Sequence, residues 1–246
     1  PVMKKTLLLA FAALCCAILL SEHDLGAVLL YYLTTVFMYY AATSNALLTL
    51  AGLGMGGGAA VIAYHAFEYV RDRIAIWKNP WIDPQKTGYQ LVQSLIAIGS
   101  GGLSGLGLGM SRQKYLYLPE EHNDFIFSVV CEELGFIGAS AILLLFAMLI
   151  VRGYWISLQS TDRFSFLTGC GITTMLALQI VLNVAVCTNL VPCTGISLPF
   201  FSYGGTALLI QMGEAGILLS ISRENPCAAY APREFFHKVK NQKIEE

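Results

Sequence analysis

Apolar residues in this chain come in long unbroken runs, and polar residues gather between them. Six runs, residues 6–20, 25–42, 46–67, 125–151, 166–187 and 200–221, are candidates to cross a hydrocarbon core of about 30 Å, which takes ~20 helical residues. The first is short and follows Lys4 and Lys5, as a signal peptide would. Ser21-Glu22-His23 offers no small-residue cleavage site, however, and further spans follow. The pattern predicts an all-α, polytopic transmembrane helical bundle of about six spans.

Between spans three and four lies a long segment, residues 68–123. A connection of this length is usually functional or disordered, and this one has an ordered composition. It carries Tyr69, Trp77, Trp81, Tyr115 and Tyr117, residue types that settle at a membrane interface. Residues 91–98 are apolar but too short to span, which predicts a re-entrant or interfacial helix. The glycine-rich stretch 101–109 has the letters of a nucleotide-binding loop but no preceding strand or βαβ setting, so close backbone packing or a lid is expected. Gly54, Gly56, Gly57 and Gly58 within span three predict close helix contact or a kink.

Composition agrees with the pattern. Of 246 residues, 56% are hydrophobic and 13% charged, outside the soluble range of about 45–50% and 25%. Fifteen basic and sixteen acidic residues leave a net charge of −1, which removes the basic surplus a nucleic-acid binder needs. Seven cysteines, at 15, 16, 131, 170, 187, 193 and 227, lack CxxC pairing, so packing is expected of them rather than disulfides or zinc. Lys and Arg near the span ends set orientation. Lys4, Lys5, Arg152, Arg163, Arg223, Arg233, Lys238, Lys240 and Lys243 all fall on one side of an alternating bundle, the expected cytoplasmic side. The long segment 68–123 is then extracytoplasmic.

Candidate chemistry concentrates where that segment re-enters the membrane, at Glu120-Glu-His-Asn-Asp124. Asn123 or Asp124 could cap the following helix. A carboxylate at an apolar boundary is also partly desolvated, which raises its basicity and suits a general base. Asp24, at the outer start of span two, carries the same two readings. Within the spans, Glu132, Glu133 and Glu214 suit either a cavity wall or a function, and Gln179 with Asn183 suits hydrogen bonding between helices. The four histidines show no HExxH spacing.

Several blocks in order then carry a resemblance. Arg73, Trp77, Asp83-Pro84, Gly88-Tyr-Gln90 and Gln93-Ser94 precede Gly101-Gly102, Gly105-Leu-Gly-Leu-Gly109 and Ser111-Arg-Gln-Lys114. Leu118-Pro-Glu120, His122-Asn-Asp-Phe-Ile-Phe127 and Glu132-Glu-Leu-Gly135 follow, then Pro192, Thr194-Gly-Ile196, Leu198-Pro199, Ser202-Tyr-Gly-Gly205 and Gly216-Ile-Leu-Leu-Ser-Ile-Ser-Arg223. Together they resemble the SEDS family (shape, elongation, division and sporulation), nearer its division and sporulation branches than its elongation branch. The resemblance implies a transmembrane domain over 1–225, a cytoplasmic tail at 226–246, and an inverting peptidoglycan glycosyltransferase that polymerises lipid II at the outer face of the bacterial cytoplasmic membrane.

By the same resemblance Asp124 matches the family's essential acid, and Asp24 sits in its second acidic motif. Arg73, Lys86, Arg112 and Lys114 are candidate cations for the substrate's pyrophosphate, with Glu120, His122 and Ser202 as further candidate substrate-binding residues. A divalent cation, Mg or Mn, could share that role, although no ligand cage is evident. A class B penicillin-binding transpeptidase and other division proteins are the implied partners. Asn123 stands where the family has Thr, Glu22-His23 where it has Gln-Pro, and Glu214 where a small or apolar residue is expected. Family members carry about ten spans, so the chain is expected to be the C-terminal part. Two other classes stay open: a flippase for lipid-linked sugars, which would favour midplane carboxylates, and a non-catalytic scaffold of the wall-synthesis complex.

Overall fold

A computed structural model describes residues 24–84, 88–113 and 123–224, and among them every regular element is helical. The expected span 6–20, the tail 226–246, and the candidates Lys86, Lys114, Glu120 and His122 lie outside the described residues. Five helices are long and apolar enough to cross a membrane: α1 (Leu25–Thr43), α2 (Ala46–Ala66), α5 (Ile126–Leu158), α6 (Arg163–Cys187) and α7 (Gly205–Glu224). The segment between α2 and α5 supplies α3 (Glu68–Lys78), a 3₁₀ turn (Pro80–Ile82) and α4 (Tyr89–Gly101).

Helix starts follow local chemistry. Asp24, Asn45 and Asp162 cap α1, α2 and α6 by accepting backbone N–H groups that have no intrahelical partner. Arg163 then donates to the Ala42 carbonyl at 2.7 Å, where a cation suits the C-terminal end of α1.

The bundle is organised around α6, more than half of whose apolar span is buried, whereas α2 has no buried residue. Helix α6 packs against α1, α5 and α7. Small residues let α5 and α6 approach closely: a Cβ on Gly153 would fall 2.5 Å from Thr173 Oγ1, and one on Gly169 2.3 Å from Ser157 Oγ. Large apolar side chains such as Leu47, Ile62, Leu144 and Leu209 stay exposed, as expected of a surface that faces lipid. The chain is an integral membrane protein.

The structure redraws two span boundaries. Helix α5 continues past a break at Gly135 to Leu158, so Arg152 lies within the helix and not in the connection to α6. Helix α7 begins at Gly205, five residues later than its apolar run suggests, because residues 199–203 belong to an irregular loop. In span three only Gly56 meets the close contact expected, against the Tyr32 ring; Gly54, Gly57 and Gly58 face open space.

The apolar segment 91–98 is the buried core of α4, whose Leu91, Val92, Ser94 and Ala97 pack toward α5 and α6. The glycine-rich stretch that follows docks on a break in α5. Gly135 has φ 68° and ψ −170°, a conformation open almost only to glycine, and it interrupts the helix. The groups released there are taken up by the loop. Leu106 and Gly107 N–H donate to the carbonyls of Glu132 and Glu133 at 2.9 and 3.0 Å. Phe136 and Ile137 N–H donate to Gly102 and Leu103 at 2.9 and 3.2 Å. Close backbone packing is therefore the role of these glycines: a Cβ on Gly101 would lie 2.0 Å from the Cys131 carbonyl oxygen, and one on Gly105 2.2 Å from that of Glu133.

Gly135→Ala should accordingly be severe. It adds backbone strain of about 1–3 kcal/mol and drives a Cβ to within 2.3 Å of Gly105 N. The expected result is a clear drop in melting temperature in detergent; an unchanged melting temperature would show that the break is not needed.

Candidate functional site

The candidate site forms where the start of α5 meets the loop that joins α6 to α7. Asp124 stands two residues before α5, and the capping position falls on Phe125, which has no side-chain acceptor, so neither Asn123 nor Asp124 occupies that position. The main-chain carbonyl of Asp124 is held instead. Asn183 Nδ2 donates to it at 2.8 Å, and Cys187 Sγ lies 3.6 Å away. The half-buried Asp124 carboxylate faces Gly195, where Oδ2 would be 3.5 Å from a Cβ. Gly195 has φ 72°, so the loop turns there in a way that a larger residue would resist.

The loop, residues 188–204, is fixed mainly by side chains. Asn183 is fully buried and sends its amide to Ile196 O as well, at 2.8 Å. Ser202 Oγ accepts the Leu198 N–H at 2.7 Å and donates to the Asn123 carbonyl at 2.7 Å. Gln211 Oε1 accepts the Phe200 N–H at 2.8 Å, which holds residues 199–203 out of α7. From α3, Trp77 Nε1 donates to Asn189 O at 3.2 Å and Arg73 Nη1 to Cys193 O at 3.1 Å.

Five of the residues singled out by sequence can be placed. Asp124, Arg73 and Ser202 converge on this loop. Asp24 joins them through its helix: a Cβ on Gly26 would lie 2.1 Å from the Thr194 carbonyl oxygen, so the start of α1 rests on the same loop. Asp24 itself caps α1, with Oδ1 accepting the Ala27 N–H at 2.9 Å. Arg112 belongs to a second cluster deeper along α5. Its side chain is exposed and its N–H donates to Glu132 Oε1 at 3.1 Å. Glu132 is only 1% exposed and also accepts from Ser111 Oγ and from Gln113 N, the latter at 3.4 Å.

Sequence reasoning left Glu132 between a wall role and a functional one; the structure makes it the staple of the 111–113 segment. The signal was present, since a carboxylate inside an apolar run has to find donors. Cys193 was grouped with the packing cysteines but stands at the site. Burial pushes its thiol above the ordinary range; the Gly195 N–H and the Arg73 guanidinium oppose this, and the Asp124 charge adds to it.

Comparisons with known proteins show the family and the fold. A family model for FtsW, RodA and SpoVE, described as "Cell cycle protein", matches residues 2–226. Stage V sporulation protein E of Bacillus subtilis (strain 168) is 42% identical over 208 residues, which is 84% of this chain and 56% of that protein. A probable peptidoglycan glycosyltransferase FtsW of Geobacter sulfurreducens (strain DL-1 / KN400) is 45% identical over 208 residues, 83% of this chain and 55% of that one. Among solved structures, a chain from work on the "structural coordination of polymerization and crosslinking by a peptidoglycan synthase complex" superposes with a TM-score of 0.70 at 27% identity, over 88% of this chain and 62% of that chain. The rod shape determining protein RodA of Thermus thermophilus gives a TM-score of 0.56 at 27% identity, over 88% and 56%. The chain spans about half the length of the curated relatives it matches.

Asn183 is the residue through which the site should fail first. Asn183→Ala takes the amide donor from two carbonyls, those of Asp124 and Ile196, at about 1–3 kcal/mol for each group left unsatisfied. Asn183→Asp is expected to be worse, because it turns carboxylate oxygens toward those carbonyls. Melting temperatures should fall in the order wild type, Ala, Asp; equal stability of all three would remove Asn183 from this role.

Proposed function

The chain belongs to the FtsW/RodA/SpoVE family of cell cycle proteins, and on that premise we propose that it carries the polymerising site of a peptidoglycan glycosyltransferase. The observation that carries the reading is the placement of Asp124: a half-buried carboxylate at the junction of loop and spanning helix, facing Gly195, with α1 and α3 meeting the same loop. A substrate with a polyprenyl tail in lipid and sugars with pyrophosphate in water requires a site at that junction. By the Lys and Arg distribution, this end of the bundle is the outer one.

In the proposed reaction the carboxylate of Asp124 takes the proton from the 4-hydroxyl of the acceptor sugar as that oxygen attacks the anomeric carbon of the donor. The new C–O bond forms as the bond to pyrophosphate breaks from the opposite face, so the configuration inverts. The bonding pair leaves on the lipid pyrophosphate, which needs no proton, and Asp124 later returns its proton to water. Positive charge near the leaving group stabilises the transition state, and of the two described candidate cations, Arg73 and Arg112, the latter has the exposed side chain. Arg73 uses one donor on Cys193 O, and Ser202 joins two main-chain segments, so both reach substrate less directly than their sequence positions suggest.

A divalent cation finds no ready cage among the described residues, where no three His, Cys, Asp or Glu side chains converge. Of the three carboxylates within the bundle that a transporter could use, Glu132, Glu133 and Glu214, the first is pinned by three donors. The relative within a peptidoglycan synthase complex supports a crosslinking partner of the penicillin-binding type and lipid II as substrate.

The test is polymerisation of labelled lipid II by the full-length protein with its transpeptidase. Asp124→Asn should lower the rate by about 10²–10⁴-fold, the usual contribution of a general base, without lowering the melting temperature. Asp24→Asn keeps the cap, since Asn caps helices as well as Asp does, so its rate reads the charge alone. Undiminished polymerisation by Asp124→Asn would refute the general-base assignment.

A further inference from the structure

Helix α3 lies along the site loop. Its inner face carries Tyr69, Val70, Arg73 and Trp77, whereas Arg71, Asp72, Ala75 and Lys78 are exposed. Arg73 and Trp77 stand one turn apart and donate to two loop carbonyls four residues apart, Cys193 O at 3.1 Å and Asn189 O at 3.2 Å. The guanidinium also lies 6.0 Å from the centroid of the Tyr69 ring, which restricts its direction. At the first gripped carbonyl and two residues beyond the second the backbone takes left-handed turns, at Asn189 (φ 58°) and Gly195 (φ 72°). Up to Val191 the loop is tied by main-chain bonds back to α6. Beyond it, the carbonyls of Cys193 and Ile196 are held by the side chains of Arg73 and Asn183.

We propose that Arg73 and Trp77 form a two-point clamp that sets the register of the 189–195 segment, and so the placement of Gly195 against the Asp124 carboxylate. They are then positioning residues, and Arg73 acts through the loop and not on the pyrophosphate. The role rests on the general-base reading given above for its effect on rate, but not for its effect on the loop. A displacement of about 1 Å at a reacting group can lower a rate on the order of 10²-fold, so a bond to a backbone carbonyl two residues from Gly195 is close enough to matter.

Cys193 supplies an independent reporter. It lies within the clamped segment, partly buried, next to both Arg73 and Asp124. Release of the loop returns the thiol to water and makes it more reactive.

The experiment uses the full-length protein in lipid nanodiscs, with Trp77→Phe, Arg73→Gln and Arg73→Lys beside wild type. Alkylation of Cys193 by N-ethylmaleimide is followed by mass spectrometry of its peptide, and kcat and KM are measured for lipid II. Trp77→Phe keeps an aromatic ring and all charges while removing the N–H with the pyrrole part of the indole, so it is the arm without a charge change. Labelling in Trp77→Phe and Arg73→Gln should rise on the order of tenfold as the thiol is released, and kcat should fall on the order of 10²-fold with KM little changed. Arg73→Lys, which keeps a charged donor, should recover part of both. Unchanged labelling would overturn the clamp, as would faster labelling with kcat intact. A raised KM with unchanged kcat in Arg73→Gln would return Arg73 to substrate binding and also overturn it. If Asp124→Asn polymerises normally, the general-base reading fails, while the labelling arm still reports on the clamp.

Discussion

A peptide group inside an apolar medium has no water to bond, so each break in a helix has to be matched by another piece of backbone. The break at Gly135 is where this requirement organises the structure. Four main-chain bonds tie residues 102–107 to residues 132–137, and that pairing needs two backbones closer together than any Cβ allows. Glycines at 101, 105 and 135 meet the demand from both sides. The same pairing directs α4 inward to lie beside α5. Once 102–107 is in place, Ser111, Arg112 and Gln113 come within reach of the Glu132 carboxylate. A glycine-rich run that looks flexible as a string of letters is thus among the most constrained parts of the molecule.

The candidate site obeys the same rule by other means. Irregular chain at the end of a bundle also carries unpaired carbonyls, but here the donors are side chains projected from regular helices. Asn183 from α6 and Arg73 and Trp77 from α3 donate into the loop, and Gln211 from α7 accepts one of its N–H groups. Rigid elements therefore fix a segment with little regular structure of its own. That arrangement suits chemistry, because the geometry at Asp124 is set by several helices at once and not by the loop alone.

Much of the architecture was legible in the sequence, since a run of ~20 apolar residues allows few structures in lipid. The errors lie where that argument stops. Apolarity placed the start of the last span at residue 200, but Phe200 gives its N–H to Gln211 and the helix begins at Gly205. Arg152 read as a loop residue because it is charged, although an arginine can sit in the final turns of a helix and reach outward along its own stem. Asp24 and Asp124 looked alike, each an acid before an apolar run; only Asp24 turned out to cap its helix. Arg73 carried no mark to distinguish a ligand for phosphate from a ligand for a carbonyl 120 positions away. Long-range partners of this kind leave no local pattern to read.

The three acids that matter divide by what their atoms bond to. Asp24 gives a side-chain oxygen to the first turn of α1, and Glu132 gives both oxygens to the 111–113 segment. A carboxylate committed in that way serves to hold the backbone whose N–H groups it accepts. Asp124 is anchored differently: its main-chain carbonyl takes the Asn183 amide, and its side chain is turned toward a glycine. Anchoring through the backbone fixes where the group stands from the main chain itself, and a fixed position relative to the reacting atoms is what general-base catalysis demands of a residue. That main-chain anchoring at the junction of loop and helix sets Asp124 apart from Asp24 and Glu132.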